Sequence, residues 1–463
     1  MSVPRESETN IFAIPILDKF LLYAPLHNLA ALLDQTATRL LRDSLLSGET
    51  VAEECLGEIS LALNEDAEPT PSPIQGDFVP SFLGLLPTRG CNLACRYCGF
   101  LTAEESARVM SLEMAQNAVN WYMDELELAG VSHAEVHYFG GEPFCAEQVL
   151  DLTVHLARIR AEEIGCSLRF EVATNGVFDE ERCHWAADNI DTIVLSLDGP
   201  ADIHDFHRPC KDGQGSYKTV EHNARILSQG SADLFLRACV TSQTVGRMPE
   251  IATWFCEGFH PKGVCFEPLQ PSTQSRIGQL EPPDPWDFAR NFVKAAWILE
   301  SYGVEPVYAA GDIHARQVSF CPVGKDAAIV SPDGTISACY LLRRDWEAKG
   351  LDLRLGRLED GSVQLRADAV DSARSLNVHN KPSCAHCFCK WHCAGGCHVN
   401  HTLPDPPDIY DRLCIQTRII GLRNVLKEMG QDYLVPEWLQ DREAVERSVY
   451  QASDLLLDLG EIQ

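Results

Sequence analysis

The sequence predicts an α/β protein built around a partial (β/α)6 TIM-like barrel, with a small α+β unit before the barrel and a cysteine-rich domain after it. Between residue 82 and about residue 320, short apolar runs alternate with helical stretches, as expected for a parallel sheet wrapped by helices. The chain has 463 residues, more than one hydrophobic core usually organises. Its 19 cysteines are grouped at spacings typical of metal ligands.

The N-terminal unit, residues 1–65, is expected to contain both strands and helices. The runs IFAIPI and FLLYAPL predict two short strands. LAALLDQTATRLLRDSLL has apolar residues at helical spacing, and VAEECLGEISLAL predicts a second helix. Acidic residues and four prolines in the stretch 64–80 indicate a linker, which we assign to residues 66–80.

Six apolar runs predict the strands of the barrel domain, residues 81–310. They are FLGLLP, EVHYF, LRFEVA, TIVLSL, LFLRACV and GVCFEP. Between the first two, Ser111 is placed to cap a helix and Gly130 to end it. Parallel barrels carry their active sites in the loops that leave the carboxyl ends of the strands. Chemical motifs are therefore expected directly after these strands.

Charge and composition exclude several classes of function. The net charge is −29 at pH 7, which opposes binding to nucleic acid or to an anionic membrane surface. No window approaches eighteen uninterrupted apolar residues, and MSVPRESETN lacks the pattern of an export signal. We therefore expect a soluble, cytoplasmic protein. Because the chain is long, metal ligation explains the cysteines better than a disulfide framework does.

The first cysteine motif follows the first predicted barrel strand. In TRGCNLACRYCGF, Cys91, Cys95 and Cys98 form a CxxxCxxC pattern. Three thiolates suit iron–sulfur ligation and would leave one iron of a four-iron cluster open to the amino and carboxylate groups of a cofactor. A zinc knuckle or a chance grouping is the alternative at this point.

A second motif lies immediately after the second predicted strand. In HYFGGEPF, the residues Gly140, Gly141, Glu142 and Pro143 resemble the GGEP motif of the radical S-adenosylmethionine (SAM) superfamily. The resemblance implies that the glycines let the backbone approach the cofactor, while carboxylate and carbonyl oxygens accept hydrogen bonds from its ammonium group. An ordinary turn is the alternative for GGEP taken alone.

Two further strand ends agree with this resemblance. ATNG closes the third strand, and SLDGPADIHDFHRPC follows the fourth, as in the peptide-modifying branch of the superfamily. The resemblance implies cofactor contacts for Ser196 and Arg208, the arginine holding the methionyl carboxylate. Asn175 is a further candidate. Arg208 could instead form a salt bridge with acidic neighbours in DFHR.

The C-terminal third carries a second cysteine group that resembles the seven-cysteine SPASM extension of sulfatase and peptide maturases. The resemblance implies a domain at 311–430 with two auxiliary iron–sulfur clusters, followed by a helical tail at 431–463. It assigns the outer cluster to Cys384, Cys387, Cys393 and Cys414. It assigns the inner cluster to Cys321, Cys339 and Cys397.

The fourth ligand of the inner cluster stays open in the sequence. Cys265 and Cys389 are candidates, and an iron open to substrate is the other possibility. A structural zinc ribbon is the alternative for CAHCFCKWHCAGGCH, in which His386, His392 and His398 would serve as ligands.

The resemblance implies an enzyme with three 4Fe-4S clusters that cleaves SAM to a 5'-deoxyadenosyl radical, with a reductant such as flavodoxin or ferredoxin. The N-terminal unit loosely resembles the winged-helix module that binds the leader of a precursor peptide, although it could simply cap the barrel. Sulfatase maturases carry an aspartate, the proposed base, where this chain has Tyr340. Tyrosine, with a pKa of about 10, is a poor base.

We therefore expect a maturase of ribosomally made peptides that forms a thioether, a C–C or C–O crosslink, or an epimer, with Tyr340 as the candidate catalytic residue. A sulfatase-maturing enzyme, which would convert Cys-x-Pro-x-Arg or Ser-x-Pro-x-Arg peptides, is the alternative. An alternative of another class is a zinc-stabilised scaffold that binds peptides.

Overall fold

A computed structural model describes residues 10–48, 54–100, 108–401 and 411–456. The strands in these residues are β1 Phe12–Ile16, β2 Lys19–Ala24, β3 Leu29–Leu33, β4 Leu83–Leu85, β5 His133–Tyr138, β6 Ser167–Thr174, β7 Thr192–Ser196, β8 Asp233–Val240, β9 Gly263–Pro268, β10 Glu305–Val307, β11 Ala328–Val330, β12 Thr335–Ser337, β13 Arg354–Glu359, β14 Ser362–Leu365 and β15 Ser453–Asp454.

The α-helices in the same residues are α1 Gln35–Ser47, α2 Glu54–Asn64, α3 Leu112–Ala129, α4 Glu147–Ile164, α5 Glu180–Asn189, α6 Ala201–His207, α7 Tyr217–Leu227, α8 Met248–Phe259, α9 Thr273–Ile277, α10 Pro285–Ser301, α11 Arg343–Glu347, α12 Ala367–Ser375, α13 Lys390–Cys393, α14 Arg412–Glu428, α15 Val435–Gln440 and α16 Arg442–Tyr450.

The chain divides into two compact units. The first unit combines 1–73, 309–320 and 377–463, and the second combines 74–308 and 321–376. The predicted linker, residues 66–80, contains no helix or strand. No helix in the described ranges is long and apolar enough to cross a membrane.

The second unit contains the parallel sheet that the sequence predicts. All six predicted barrel strands are confirmed as β4 to β9, which pair in parallel and in chain order. The strand β10 continues the parallel sheet beyond β9, while β11 pairs in parallel with β4 and leads into the antiparallel strands β12, β13 and β14. The α/β fold with a partial barrel is therefore confirmed.

Alternating burial gives this sheet two different faces. In β8, Leu234, Leu236 and Ala238 are buried, whereas Arg237 and Cys239, which alternate with buried residues, are only half-buried. Residues opposite one another in a sheet share a face. We call the half-buried side the open face, and its residues at the strand ends are Ser196, Arg237, Cys239, Cys265 and Glu267.

The helix α3 begins and ends where the sequence predicts. The side chain of Ser111 accepts a hydrogen bond from Met114 N at 3.1 Å. Gly130 ends the helix in a left-handed conformation, with φ +67°. Both termini are thus set by local residues, as is usual for capped helices.

The first unit contains an antiparallel sheet in the order β15-β1-β2-β3. The predicted strands IFAIPI and FLLYAPL correspond to β1 and β2. The helix predicted from residue 29 was wrong for residues 29–33, which form β3. The helix begins only at residue 35 because the Asp34 side chain caps it, with Ala37 N donating to Asp34 Oδ1 at 2.8 Å. Apolar residues of the sheet and helices share one core, which includes Leu22, Leu41 and Leu455.

Candidate functional site

The cysteine triad occupies the loop that follows β4. Cys95 is buried, and Cys91 and Cys98 are half-buried. Burial raises the pKa of Cys91 to about 11 and that of Cys95 to about 12, and neighbouring thiols of the triad add to both shifts. The three thiols come from one loop, within eight consecutive residues. Because thiolates are the ligands of metals, metal uptake here would release protons.

The GGEP segment packs directly on the cysteine loop. Gly141 N donates to Thr88 O at 3.1 Å, and Glu142 N donates to Gly90 O at 2.8 Å. A Cβ at Gly141 would lie 2.1 Å from Gly90 O, and one at Gly140 would lie 2.5 Å from Thr88 O. Any side chain at these two positions would therefore separate the segments, which explains why the motif needs both glycines.

The Glu142 carboxylate ties the GGEP segment to the end of β6. It is 1% exposed and accepts hydrogen bonds from Thr174 Oγ1 and from Asn175 N, both at 2.7 Å. Burial raises its pKa to about 7, although these hydrogen bonds oppose the shift. The adjacent Pro143 is buried and opens the turn that follows. The motif carboxylate therefore holds the protein loops together, and its predicted contact with the cofactor ammonium stays a prediction.

Asn175 connects the same strand end to the cysteine loop. Its Nδ2 donates to Asn92 Oδ1 at 2.7 Å and reaches Cys91 Sγ at 3.5 Å. Asn92 Nδ2 in turn donates to Val177 O at 2.6 Å. Asn175 thus orients the cysteine loop, and its predicted contact with cofactor is not tested by this geometry.

Arg208 is held by a buried carboxylate that sequence reasoning missed. Its Nε lies 3.1 Å from Asp198 Oδ2, and the Asp198 side chain is 0% exposed. Asp198 also accepts hydrogen bonds from Tyr97 Oη at 2.8 Å, His207 Nδ1 at 3.1 Å and Cys239 N at 3.0 Å. The partner of Arg208 is therefore Asp198 of the SLDG segment rather than an acidic residue of DFHR.

The electrostatics of this pair favour a fixed guanidinium. Burial alone would raise the pKa of Asp198, but Arg208 and His207 outweigh it and hold that pKa well below its usual range. The Arg208 guanidinium lies 5.3 Å from the centroid of the Tyr97 ring. Asp198 faces Nε, and the two Nη groups make no hydrogen bond to the residues that the structure describes, which leaves them suited to a carboxylate ligand. Tyr97, between Cys95 and Cys98, brings this group beside the cysteine loop.

The remaining predicted residues of this unit lie on or near the sheet. Ser196 ends β7 on the open face, opposite Arg237 of β8. Tyr340 packs against Phe139, with ring centroids 4.9 Å apart, and its Oη has no hydrogen-bond partner within the described residues. A Cβ at Gly84 would lie 2.7 Å from this Oη, so the glycine in β4 makes room for the phenol. Burial raises the pKa of Tyr340 well above its usual value, so even less of the phenolate that could accept a proton is present near neutral pH.

Four predicted cysteine ligands line one cavity in the first unit. These four are Cys384, Cys387, Cys393 and Cys414. The chain turns around the cavity through three consecutive left-handed residues, Ala394 to Gly396, two of which are glycines. The donor set is that of a four-cysteine iron–sulfur or zinc site, so these residues fit the group assigned to them.

Side chains that the sequence did not single out complete this cavity. Arg418 Nη1 donates to Cys387 Sγ at 2.9 Å, and His401 Nδ1 lies 3.8 Å from Cys414 Sγ and 3.2 Å from Asp411 Oδ2. Cys414 and Arg418 are one turn apart on α14, which is a spacing that could have identified Arg418. His401 lies thirteen residues before Cys414 and carries no comparable signal.

Cys389 also lines this cavity, whereas Cys265 does not. A hydrogen bond from Cys389 and the charge of Arg418 lower the pKa of Cys387, against the effect of burial. Cys265 lies on β9, where its Sγ donates to Glu267 Oε1 at 3.3 Å. Cys389 therefore lies with the cysteines assigned to the outer cluster. Of the inner set, Cys321 and Cys339 belong to the second unit and Cys397 to the first.

The histidines proposed for a zinc ribbon do not gather in this cavity. Both ring nitrogens of His392 are engaged, Nε2 with Tyr23 Oη and Nδ1 with Ala315 O at 3.2 Å. Neither His386 nor His398 lines the cavity. Among the described residues, the histidine that lines the cavity is instead His401.

Comparisons with known proteins identify the domain that carries the cysteine triad, GGEP and Arg208. The model of the Radical SAM superfamily matches residues 85–244. Residues 85–244 form a radical SAM domain. This assignment implies a 4Fe-4S cluster and S-adenosylmethionine, and the three thiols of Cys91, Cys95 and Cys98 on one loop suit a cluster with one open iron.

The chain is similar to curated enzymes over about two thirds of its length. It is 25% identical over 335 residues to a cysteine-type anaerobic sulfatase-maturating enzyme of Clostridium perfringens, which covers 66% of this chain and 86% of that enzyme. It is 25% identical over 328 residues to a serine-type enzyme of Klebsiella aerogenes, covering 67% and 78%. A solved structure of native anSMEcpe with bound AdoMet and Cp18Cys peptide has the same fold, with a TM-score of 0.60 and 19% identity, over 76% of this chain and 98% of that one.

Proposed function

We propose that this radical SAM enzyme is a SPASM-type maturase that modifies a ribosomally synthesised peptide, by a thioether, C–C or C–O crosslink or by epimerisation. The observation that carries the proposal is the edge of the sheet in the first unit. Within the described residues, β3 pairs with β2 alone, so its other edge offers main-chain donors and acceptors. An extended peptide can add to such an edge as a further strand. The occupant that we propose is the leader of a precursor peptide.

The composition of β3 suits this role. Its sequence, LAALL, is apolar, and its first four residues are only half-buried. An apolar, half-exposed edge strand can pair with another strand, and proteins usually prevent this pairing with charged residues or proline. This strand contains neither. A peptide that pairs with β3 would cover these side chains as well as the main-chain groups.

The proposal includes three 4Fe-4S clusters, one from the radical SAM domain and two auxiliary ones. The auxiliary assignment rests on the cavity formed by Cys384, Cys387, Cys393 and Cys414 and on the predicted set Cys321, Cys339 and Cys397. With a reduced cluster and SAM bound, the site would supply one electron to cleave SAM into methionine and a 5'-deoxyadenosyl radical, and this radical would take a hydrogen atom from the substrate.

The residues of the chain position the reactants. We assign the Nη groups of Arg208, fixed by Asp198, to the methionyl carboxylate, and the backbone oxygens of the GGEP segment to the ammonium. Ser196 on the open face is assigned to a further cofactor contact. The substrate would then approach from the side of Tyr340, whose buried phenol lies along β4.

Sulfatase maturation is the second candidate function, and the curated relatives favour it. The enzymes of Clostridium perfringens and Klebsiella aerogenes are named for that activity, and this chain spans most of their length. Against it stands Tyr340 in place of the aspartate that is proposed as the base. If the chain matures sulfatases, another group must accept the proton.

The first experiment distinguishes an iron–sulfur enzyme from a zinc-binding scaffold. Peptide modification is then distinguished from sulfatase maturation by the products formed. Anaerobically reconstituted protein should contain roughly ten or more irons and should release 5'-deoxyadenosine when reduced with SAM. The matched control is the Cys91→Ala/Cys95→Ala/Cys98→Ala variant, which should lose 5'-deoxyadenosine but keep the auxiliary iron. Colourless protein that binds only zinc would refute the enzyme assignment.

Products are then identified by mass spectrometry. We expect modification of a peptide encoded beside this gene and no aldehyde on a Cys-x-Pro-x-Arg or Ser-x-Pro-x-Arg peptide. Aldehyde formation without any change in the neighbouring peptides would replace the first proposal with the second.

The leader site is tested by hydrogen–deuterium exchange. Adding the full precursor peptide should slow exchange in β3, residues 29–33, because the N–H groups on its outer edge, which have no strand partner among the described residues, gain partners. Exchange in β13 and β14 of the second unit serves as the internal control and should not change. Product formation without protection of β3 would contradict the edge-strand site while leaving the maturase assignment intact.

A further inference from the structure

Positive charge is concentrated around the outer cysteine cavity. Arg418 is 1% exposed, and its guanidinium lies 4.3 Å from the centroid of the Phe388 ring. Its Nη1 donates to Cys387 Sγ at 2.9 Å. The cation is therefore fixed inside the protein, in direct contact with one of the proposed cluster ligands.

Two lysines reinforce this charge. Lys390 is 3% exposed and donates to Ala385 O at 3.3 Å, and Lys381 donates to the carbonyl of Gly396 at 3.3 Å. Lys390 also lines the cavity itself. Residues 381–401 contain these two lysines and no acidic residue, in a chain of net charge −29.

Asp411, an acidic residue that the structure describes beside this cavity, pairs with a histidine that lines it. Asp411 Oδ2 lies 3.2 Å from His401 Nδ1, and Asp411 Oδ1 caps α14 through Cys414 N at 2.8 Å. Among the residues described around it, the cavity thus has two buried cations, a third beside it and one carboxylate, that of Asp411, which pairs with His401 and has an oxygen within 4.8 Å of Cys414 Sγ.

Such surroundings have a specific effect on an iron–sulfur cluster. A four-iron cluster with four thiolate ligands is anionic and becomes more so on reduction. Nearby cations and hydrogen bonds to its sulfurs favour the reduced form, so they raise the reduction potential. Their effect is strong where water is excluded, because charges interact more strongly at low dielectric.

We propose that Arg418 is a positioning residue that raises the reduction potential of the outer auxiliary cluster through its contact with Cys387, assisted by Lys381 and Lys390. This inference rests on the proposed assignment of Cys384, Cys387, Cys393 and Cys414 to that cluster. It gives the outer cluster the character of an electron acceptor within the chain.

The test measures potential rather than turnover. In the Cys91→Ala/Cys95→Ala/Cys98→Ala background the radical SAM cluster is absent, so only auxiliary clusters contribute to a redox titration followed by electron paramagnetic resonance. The outer signal is the one lost in a Cys384→Ala variant. Arg418→Gln keeps a hydrogen-bond donor and removes the charge, whereas Arg418→Lys keeps the charge.

The matched control is Arg423→Gln. Arg423 is 2% exposed on the same helix but does not line the cavity. We expect the midpoint potential of the outer cluster to fall in Arg418→Gln, to fall less in Arg418→Lys, and to stay unchanged in Arg423→Gln.

Other outcomes would overturn the inference. An unchanged potential in Arg418→Gln with the outer signal present would refute it while leaving the cluster assignment intact. Loss of the outer signal in both Arg418 variants would make the residue structural and would refute it equally. If the parent background binds no iron at Cys384 and its partners, the proposed cluster assignment fails and the inference fails with it.

Discussion

Replacing Asp198 with asparagine is expected to destabilise the second unit. The carboxylate is fully buried, lies 3.1 Å from Arg208 Nε and accepts hydrogen bonds from Tyr97, His207 and the Cys239 amide. The Asp198→Asn variant leaves the guanidinium of Arg208 in the interior without a compensating charge. It also replaces one acceptor oxygen with an amide donor that faces other donors.

The magnitude follows from the cost of breaking a buried ion pair. Removing one partner of such a pair costs about 3–5 kcal/mol of unfolding free energy. Arg208→Gln should cost a similar amount, because Asp198 then keeps only its other donors. The double variant should cost less than the two single ones together, with a coupling energy of about 1–3 kcal/mol.

Urea unfolding of the metal-free chain under reducing conditions measures these differences. The surface pair of Arg247 and Asp202 supplies the control, since both side chains are substantially exposed and Asp202→Asn should cost less than about 1 kcal/mol. An Asp198→Asn variant as stable as Asp202→Asn, or strict additivity in the cycle, would refute the reasoning.

The same pair makes a prediction about pH. The pKa of Asp198 is lowered in the folded protein, so its contribution is complete above the unfolded value of about 3.9 and is lost only as pH falls below that value. The difference between wild type and Asp198→Asn should therefore be constant between pH 5 and pH 8. A difference that disappears within this window would contradict the lowered pKa.

Three further changes test the GGEP segment and Tyr340. The pKa of Glu142 is raised from 4.5 to about 7 in the folded protein, so the folded state loses stability relative to the unfolded state as pH rises through this range. Between pH 5 and 8 the unfolding free energy of wild type should fall by up to about 3 kcal/mol relative to that of Glu142→Gln. The same pH dependence of unfolding free energy in both proteins would contradict this. The Gly141→Ala variant should contain less iron, because the added Cβ would clash with Gly90 O. The control variant Gly99→Ala should bind iron normally, because no described atom lies within 4 Å of a Cβ at that position. Tyr340→Phe should change stability by less than about 0.5 kcal/mol because the hydroxyl has no partner among the described residues; a marked loss would reveal one.

The sequence predicted the barrel strands because each is an apolar run bounded by turns. It did not predict β10, whose three residues include a proline and only a single apolar valine. It also assigned residues 29–33 to a helix, since LAALL continues into a helical apolar pattern. The left-handed Asn28 before this run and the cap at Asp34 after it favour a strand instead.

The site residues divide in the same way. The cysteine triad, GGEP and Arg208 carry local motifs and could be found in the sequence. Asp198 and Arg418 act through partners distant in the chain, such as Tyr97, 101 residues away, and Cys387, 31 residues away. Pairings of this kind depend on tertiary structure; for Arg418 the one local signal is its position one helical turn after Cys414.

The pairing of β15 with β1 has a consequence for biosynthesis. Phe12 lies opposite Asp454, and Leu455 belongs to the same core as Leu22 and Leu41. During translation, the strands and helices of residues 10–64 therefore leave the ribosome long before the segment that completes their sheet, whereas the second unit is complete by residue 376. Domains usually fold as units. The barrel can thus fold before the sheet of residues 10–64 is completed by β15. Until then, the apolar edge of that sheet is exposed to chaperones.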